Sequence, residues 1–119
     1  MISCRTQIKD ALLTICDNVK MERPEGKLTL PLLTYAEITN AMIDKRQARI
    51  DFQVDIYEST FAGLIQMTRA VDDVMTGLGW SRTYVTPDVN ARVGAGLYHK
   101  ATNYTARIDT LRLDIIGGN

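Results

Sequence analysis

The sequence is short of the residue types that usually reveal what a protein does. Its 119 residues include one histidine, one tryptophan, two cysteines and three prolines. Two cysteines are too few for a disulfide-stapled miniprotein, and a lone histidine gives no recognisable metal-ligand spacing. No apolar run approaches the roughly 20 residues that span a bilayer, and the first residues lack the long apolar segment of a signal peptide. We therefore expect a soluble chain that is, by default, intracellular.

An excess of charge of either sign is also missing. Fourteen basic and fourteen acidic residues give a formal net charge of zero. Without a net positive charge or regular alternation of basic and aromatic residues, direct nucleic-acid binding is a poor expectation. Hydrophobic residues make up 45% and charged residues 24%, as in an ordinary globular domain. The sequence therefore predicts one domain over residues 1–119, with flexible loops at about 21–27 and 87–96 and a frayed end at 117–119.

The clearest periodic signal lies in Ala48–Glu58, where apolar and polar residues alternate. This period of two predicts a strand with one face on a core. A short polar connection joins it to the extended segment 28–41 and favours an antiparallel hairpin. Residues 80–86 and 97–116 also have strand-like sequences. A change of phase in the second of these predicts a bulge or turn near Asp109–Thr110.

Two helices are predicted from apolar residues at spacings of three and four, one over residues 3–20 and one over 60–77. Ser59 or Thr60 can cap the second helix, and Gly77 and Gly79 offer a left-handed stop. The resulting order is α-β-β-α-β-β. It predicts an α+β fold in a single domain, with a mainly antiparallel sheet and two helices packed on one face.

The two cysteines, Cys4 and Cys16, both fall in the first predicted helix. Twelve residues of helix separate them by about 18 Å, far more than the roughly 7 Å between Cα atoms that a disulfide tolerates. We expect both thiols to be reduced and buried.

Few residues offer catalytic chemistry. His99 has no serine, cysteine or aspartate placed beside it by sequence, so a structural or interface role is favoured. Asp51 and Asp55 share a strand face about 13 Å apart, too far for paired carboxylates, and a ladder of surface pairs explains them better. Lys45 and Arg46 belong to a small basic cluster, completed by Arg49, that suits a charged hairpin tip.

Several aromatic residues fall at strand positions that point away from the predicted core. Tyr57 lies in the polar phase of its strand, Trp80 and Tyr84 share one face of another, and Tyr98 and Tyr104 occur in the last strand region. Such residues either close a small core or anchor a protein interface. Both roles stay open, and the interface gains weight because catalytic machinery is not apparent.

Five segments follow one another in a recognisable order: 30–37 (LPLLTYAE), 52–57 (FQVDIY), 75–79 (MTGLG), 97–100 (LYHK) and 104–107 (YTAR). In their spacing and residue class they resemble the small tail-completion, or tail-terminator, proteins of long-tailed bacteriophages. The resemblance covers most of the chain, roughly residues 28–109.

This resemblance implies a virion structural protein that is not an enzyme and needs no cofactor. It implies a ring, commonly a hexamer, that caps the tail tube and joins the tail to the head connector. The protein would lie in the virion at the head-proximal end of the tail, after assembly in the host cytoplasm. Candidate interface residues, which combine the aromatic positions with the long loop, are Tyr57, Trp80, Tyr84, Pro87, Asp88, Arg92, Tyr98, His99 and Lys100.

Two other functions remain open at this point. One is a head-completion or connector-adaptor protein of the same kind of phage. The other is a small ligand-binding domain or enzyme unrelated to phage, which would need a pocket with converging polar groups.

Overall fold

Two helices and six strands make up the part of the chain that the computed structural model describes, residues 4–21, 29–85, 97–111 and 115–117. In chain order they are α1 (Arg5–Leu13), β1 (Val19–Met21), β2 (Leu32–Met42), β3 (Gln47–Glu58), α2 (Phe61–Gly77), β4 (Ser81–Val85), β5 (Tyr98–Asp109) and β6 (Ile115–Gly117). The predicted α+β class is confirmed. The predicted order α-β-β-α-β-β is wrong, because β1 precedes β2 and β6 follows β5.

The sheet is built around the pairing of β3 with β5. These two twelve-residue strands are antiparallel over their whole length, from Gln47 opposite Asp109 to Glu58 opposite Tyr98. The strand order is β1-β2-β3-β5-β4, and β6 pairs with β5 off this path. As predicted, β2 and β3 form an antiparallel hairpin. Only β1 runs parallel to its neighbour, so the sheet is mainly antiparallel.

One face of this sheet carries the core. Every second residue of β3 from Ala48 to Ile56 is buried, as the alternation in the sequence predicts. In β5 the buried partners are the even-numbered residues that lie opposite them. Both helices pack on this face and complete one cluster, to which they contribute Ile8, Leu12, Leu64, Val71 and Met75. The odd-numbered residues of β3 and β5 form the other, outer face.

The first helix is shorter than predicted. It ends at Leu13, where the Thr14 hydroxyl donates to the carbonyl of Ala11 at 2.6 Å. The chain then joins the sheet, since the Leu33 amide donates to the carbonyl of Asn18 at 3.0 Å. Cys4 and Cys16 therefore lie outside the helix. Both are free thiols with only 7% of their surface exposed, as the prediction of reduced, buried cysteines requires.

The second helix begins and ends where its sequence predicts. The Thr60 hydroxyl accepts a hydrogen bond from the Gly63 amide at 3.0 Å, which satisfies one of the free donors of the first turn. After the helix, Gly79 adopts a positive φ of 100°. This conformation turns the chain so that the Trp80 amide donates to the Met75 carbonyl at 3.0 Å.

Removing the Thr60 side-chain cap at the start of α2 should lower the stability of the folded protein. We expect Thr60→Ala to lower the free energy of unfolding by about 1 kcal/mol, because the Gly63 amide loses its acceptor. Urea unfolding monitored by circular dichroism measures the change. Ser59→Ala is the matched control, since Ser59 is exposed and Thr60 supplies the cap. An equal loss in both variants would contradict the assignment of the cap.

Two residues predicted to belong to a loop or to the frayed chain end lie in strands. Met21, predicted to start a loop, is the last residue of β1, and Gly117, predicted to start a frayed end, closes β6. Three predicted regions lie outside the described residues: the rest of the loop 21–27, all of the loop 87–96, and residues 118–119 of the frayed end. The turn predicted near Asp109–Thr110 is present at residues 110–111.

Candidate protein interface

Four ring side chains gather at one end of the β3–β5 pair. Tyr57 and His99 lie directly opposite each other on the outer face, and their rings stack with centroids 4.5 Å apart and planes 16° apart. Phe61, the first residue of α2, is 45% exposed and meets the Tyr98 ring edge-on at 6.2 Å. The Tyr98 ring belongs to the core-facing phase of β5, so the two ring pairs lie on opposite faces of the sheet at this end. We call Tyr57, Phe61, Tyr98 and His99 the aromatic end. Three of the four were predicted as interface candidates, and Phe61 was missed because it is one of the apolar residues from which the second helix was predicted.

Carboxylates border the aromatic end. Asp55 Oδ1 accepts a hydrogen bond from Gln53 Nε2 at 2.9 Å and lies 3.5 Å from His99 Nε2. That second contact is too long for a good hydrogen bond, and the buried His99 Nε2 has no hydrogen-bond partner among the described residues. Glu58 lies opposite Tyr98, and its Oε1 accepts from the Ser59 amide at 3.1 Å. One carboxylate therefore lies beside the outer-face ring pair and the other is level with Tyr98 on the opposite face.

Lys100 does not offset this charge at the surface. It occupies the core-facing phase of β5, opposite Ile56, and is only 5% exposed. Burial lowers the pKa of its ammonium group, and the nearby positive charge of Arg82 lowers it further. As a candidate interface residue, Lys100 is therefore poorly placed.

A second exposed apolar surface lies at the opposite end of the β3–β5 pair. The hairpin turn is closed by Asp44, whose Oδ1 accepts from the amides of Arg46 at 2.7 Å and Gln47 at 2.9 Å. The Thr110 amide donates to the Arg46 carbonyl at 2.7 Å, which holds the turn after β5 against the hairpin. The exposed apolar residues here, which we call the hairpin end, are Met42 (61% exposed), Ile43 (52%) and Leu111 (73%).

Sequence reasoning missed the hairpin end as a candidate surface. It identified the basic cluster of the tip but gave no role to the apolar residues beside it. The signal that could have found them is the position of Met42 and Ile43 immediately before the turn residue Asp44. Apolar side chains next to a turn have no strand face against which to pack.

Most charges near the hairpin end are paired. Arg46 lies 3.4 Å from Asp109, and Arg49 lies 3.2 Å from Asp51 on its own strand. The expected ladder of surface pairs is therefore present. Lys45 is exposed and forms no ion pair within the described part of the chain. The exposed Asp44 carboxylate lies next to it in the turn, so the formal charges of the described hairpin end balance.

The prediction that Trp80 is an interface residue is wrong. It is 2% exposed and meets Phe52 edge-on with ring centroids 5.6 Å apart, so it belongs to the core. An irregularity in β4 between Arg82 and Tyr84 breaks the alternation from which a shared face of Trp80 and Tyr84 was predicted. Tyr84 pairs with Asn103 through the backbone. The remaining candidates, Pro87, Asp88 and Arg92, lie outside the described residues.

One buried polar contact ties three elements together on the core side. The Tyr104 hydroxyl donates to Asp72 Oδ1 at 3.2 Å, and Arg82 Nη1 lies 3.5 Å from the same oxygen. Burial raises the pKa of the fully buried Tyr104 phenol well above its ordinary value. The Thr102 side chain partly opposes this effect, the Asp72 carboxylate adds to it, and Arg82 has the smallest, lowering effect. This contact links β5, α2 and β4, which makes it structural.

Two further features are absent from the described residues. No group of three or more histidine, cysteine, aspartate or glutamate side chains there could hold a metal ion. No helix among these residues has the length and apolar character needed to cross a membrane. The chain matches no known protein-family model, and no curated protein sequence is significantly similar to it.

Proposed function

We propose that this chain is a structural protein of a long-tailed bacteriophage that caps the tail tube and joins the tail to the head as a ring. The observation that carries the proposal is the presence of two unlike exposed apolar surfaces at opposite ends of the β3–β5 pair. The twelve paired residues hold these surfaces about 36 Å apart at 3.3 Å per residue. The resemblance of residues 28–109 to tail terminators supports the same function.

A protein with two unlike binding surfaces can assemble into a closed ring. When a surface of one copy binds a different surface of the next copy, each added copy repeats the same rotation, and the assembly closes if that rotation divides a full turn. Exposed apolar and aromatic side chains supply the central contacts of such interfaces. A hexamer is the expected closed form, from the resemblance.

The ring would work by matching protein surfaces and not by bond chemistry. It has two unlike faces, so one can bind the last ring of the tail tube while the other binds the head connector. Tube growth stops because the exposed face no longer matches a tube subunit. The protein then remains in the virion at the head-proximal end of the tail, with no cofactor required.

Electron microscopy of particles made without this protein tests the proposal. We expect tails of abnormal length, or finished tails detached from heads, because nothing closes the tube or presents a docking face. Supplying the gene in trans should restore normal particles and serves as the control. Free tails of normal length that can still join added wild-type heads would indicate a head-completion protein instead, and unaltered infectious particles would refute both functions.

A further inference from the structure

We infer that Arg107 of β5, together with Arg49 directly opposite it on β3, forms a binding site for one small oxyanion, a phosphate or a carboxylate group. The site lies on the outer face of the sheet, opposite the face on which both helices pack. It is a property of the single chain, so it does not depend on the proposed ring.

Arg107 is a cation without a counterion in the described part of the chain. Its side chain is partly buried, and its Nε atom is almost inaccessible to solvent and has no hydrogen-bond partner. No carboxylate of the described residues forms an ion pair with its guanidinium. Because a buried donor on a charged group is costly to leave unpaired, an acceptor from outside the chain would be favoured at this position.

The residue that faces Arg107 adds a second reason for an anion to bind there. Arg49 and Arg107 are cross-strand partners on the same face, which places their Cβ atoms about 5 Å apart. Like charges at directly opposite positions destabilise a sheet. An anion between the two guanidiniums would replace this repulsion with two attractive contacts, and the planar guanidinium fork matches the paired oxygens of carboxylate and phosphate.

The nearby carboxylates are already engaged by other arginines. Asp51 lies 3.2 Å from Arg49, and Asp109 lies 3.4 Å from Arg46. These two pairs balance, so the charge of Arg107 is left over at this end of the outer face. The Arg49 side chain is 57% exposed, so a small anion in solution can reach the pair. The basic cluster predicted at the hairpin tip thus gains Arg107 from a distant strand and a binding role.

Titration with inorganic phosphate, followed by two-dimensional proton–nitrogen NMR of the arginine side chains, tests the site. We expect the Arg107 Nε–H resonance to shift with a saturable dependence on phosphate at constant ionic strength, because its hydrogen gains an acceptor. Sodium acetate is titrated in the same way as the carboxylate probe, and saturation with either anion supports the site. Arg69, which is exposed on α2, is the control, and its resonance should not show saturation.

The Arg107→Gln variant removes both the charge and the unpaired donor. It should weaken phosphate binding about tenfold or more, the equivalent of one charge-assisted hydrogen bond, as followed at the backbone amides of β3 and β5. Arg69→Gln is the matched substitution and should leave binding unchanged. Without phosphate, the thermal unfolding midpoint of Arg107→Gln should not fall below that of the wild type, because the variant loses a like-charge contact.

Two results would overturn the site. The first is a shift of the Arg107 resonance that grows linearly with both anions and parallels that of Arg69, since this reports charge screening alone. The second is saturable binding that Arg107→Gln leaves unchanged. The wild-type titration decides the first without any variant, and neither result bears on tail assembly, which electron microscopy of particles tests separately.

Discussion

Replacing Phe52 by alanine is expected to lower the free energy of unfolding by about 3–5 kcal/mol, the usual cost of removing a buried phenylalanine. Phe52 is completely buried near the middle of β3, opposite Tyr104 of β5. Its ring meets Trp80 edge-on at a centroid distance of 5.6 Å. The substitution therefore removes both buried apolar surface and an aromatic pair, and it leaves a cavity at the junction of β3, β5 and the segment after α2. Guanidinium or urea unfolding measures the loss.

Two further variants show whether the loss arises from packing. Phe52→Leu should cost clearly less, because it keeps most of the buried volume. Gln53→Ala, on the outer face of the same strand, loses the hydrogen bond to Asp55 and should cost about 1 kcal/mol. A loss below about 1 kcal/mol for Phe52→Ala would contradict the central position of this side chain in the core.

Stability and assembly should respond to different parts of the molecule. Phe52 contributes to the core, so its replacement lowers stability and reduces assembly only through unfolding. Ile43 and Phe61 are about half exposed, so polar replacements there should change stability little. Under the proposed function, the same replacements at the two ends should reduce ring formation strongly.

The features predicted correctly from the sequence are those that local chemistry determines. The alternation of β3 is visible because one face of the strand must be apolar and the other is not. Thr60 and Gly79 are recognisable because a helix start needs a side-chain acceptor and a left-handed turn favours glycine. In each case the signal lies within a few residues of the feature itself.

The features predicted wrongly depend on contacts between distant parts of the chain. A strand of three residues such as β1 has no periodicity of its own, and its pairing with Leu33–Tyr35 defines it. Without that pairing, Val19 reads as one more apolar position of a long helix. The burial of Trp80 likewise depends on where the chain leaves α2 and on the contact with Phe52, neither of which its spacing reveals.

The candidate site could be predicted only in part for the same reason. Tyr57 was recognised as a surface aromatic position and His99 as a structural or interface histidine, but their stacking follows from the register of β3 against β5. No sequence separation indicates that register. The hairpin end needs the turn at residues 110–111 to lie against the hairpin, which is again a contact between distant segments.

Alkaline pH should destabilise the protein through Tyr104. Burial raises the pKa of this phenol above its ordinary value of 10.0, and the neighbouring Asp72 carboxylate adds to the effect. Below pH 10 the phenol is protonated in both the folded and the unfolded chain, and its contribution to stability is complete. Above pH 10 the unfolded chain releases the proton while the folded chain retains it, so stability falls with a slope of up to about 1.4 kcal/mol per pH unit.

The Tyr104→Phe variant isolates this contribution. It cannot titrate, so its free energy of unfolding should fall less steeply than that of the wild type between pH 9 and 12, a range of about three units around the ordinary phenol pKa. At neutral pH the variant should lose about 0.5–1.5 kcal/mol, because Asp72 no longer receives its hydrogen bond. Burial also raises the pKa of the Cys4 thiol, and Glu37 raises it further. The pH dependence of stability that Cys4 causes is the same in both proteins, so it cancels in the comparison.

Tyr98→Phe, which alters a partly exposed phenol, is the matched control. Equal slopes for wild type and Tyr104→Phe would mean that the folded protein does not hold the Tyr104 proton more tightly than the unfolded chain does.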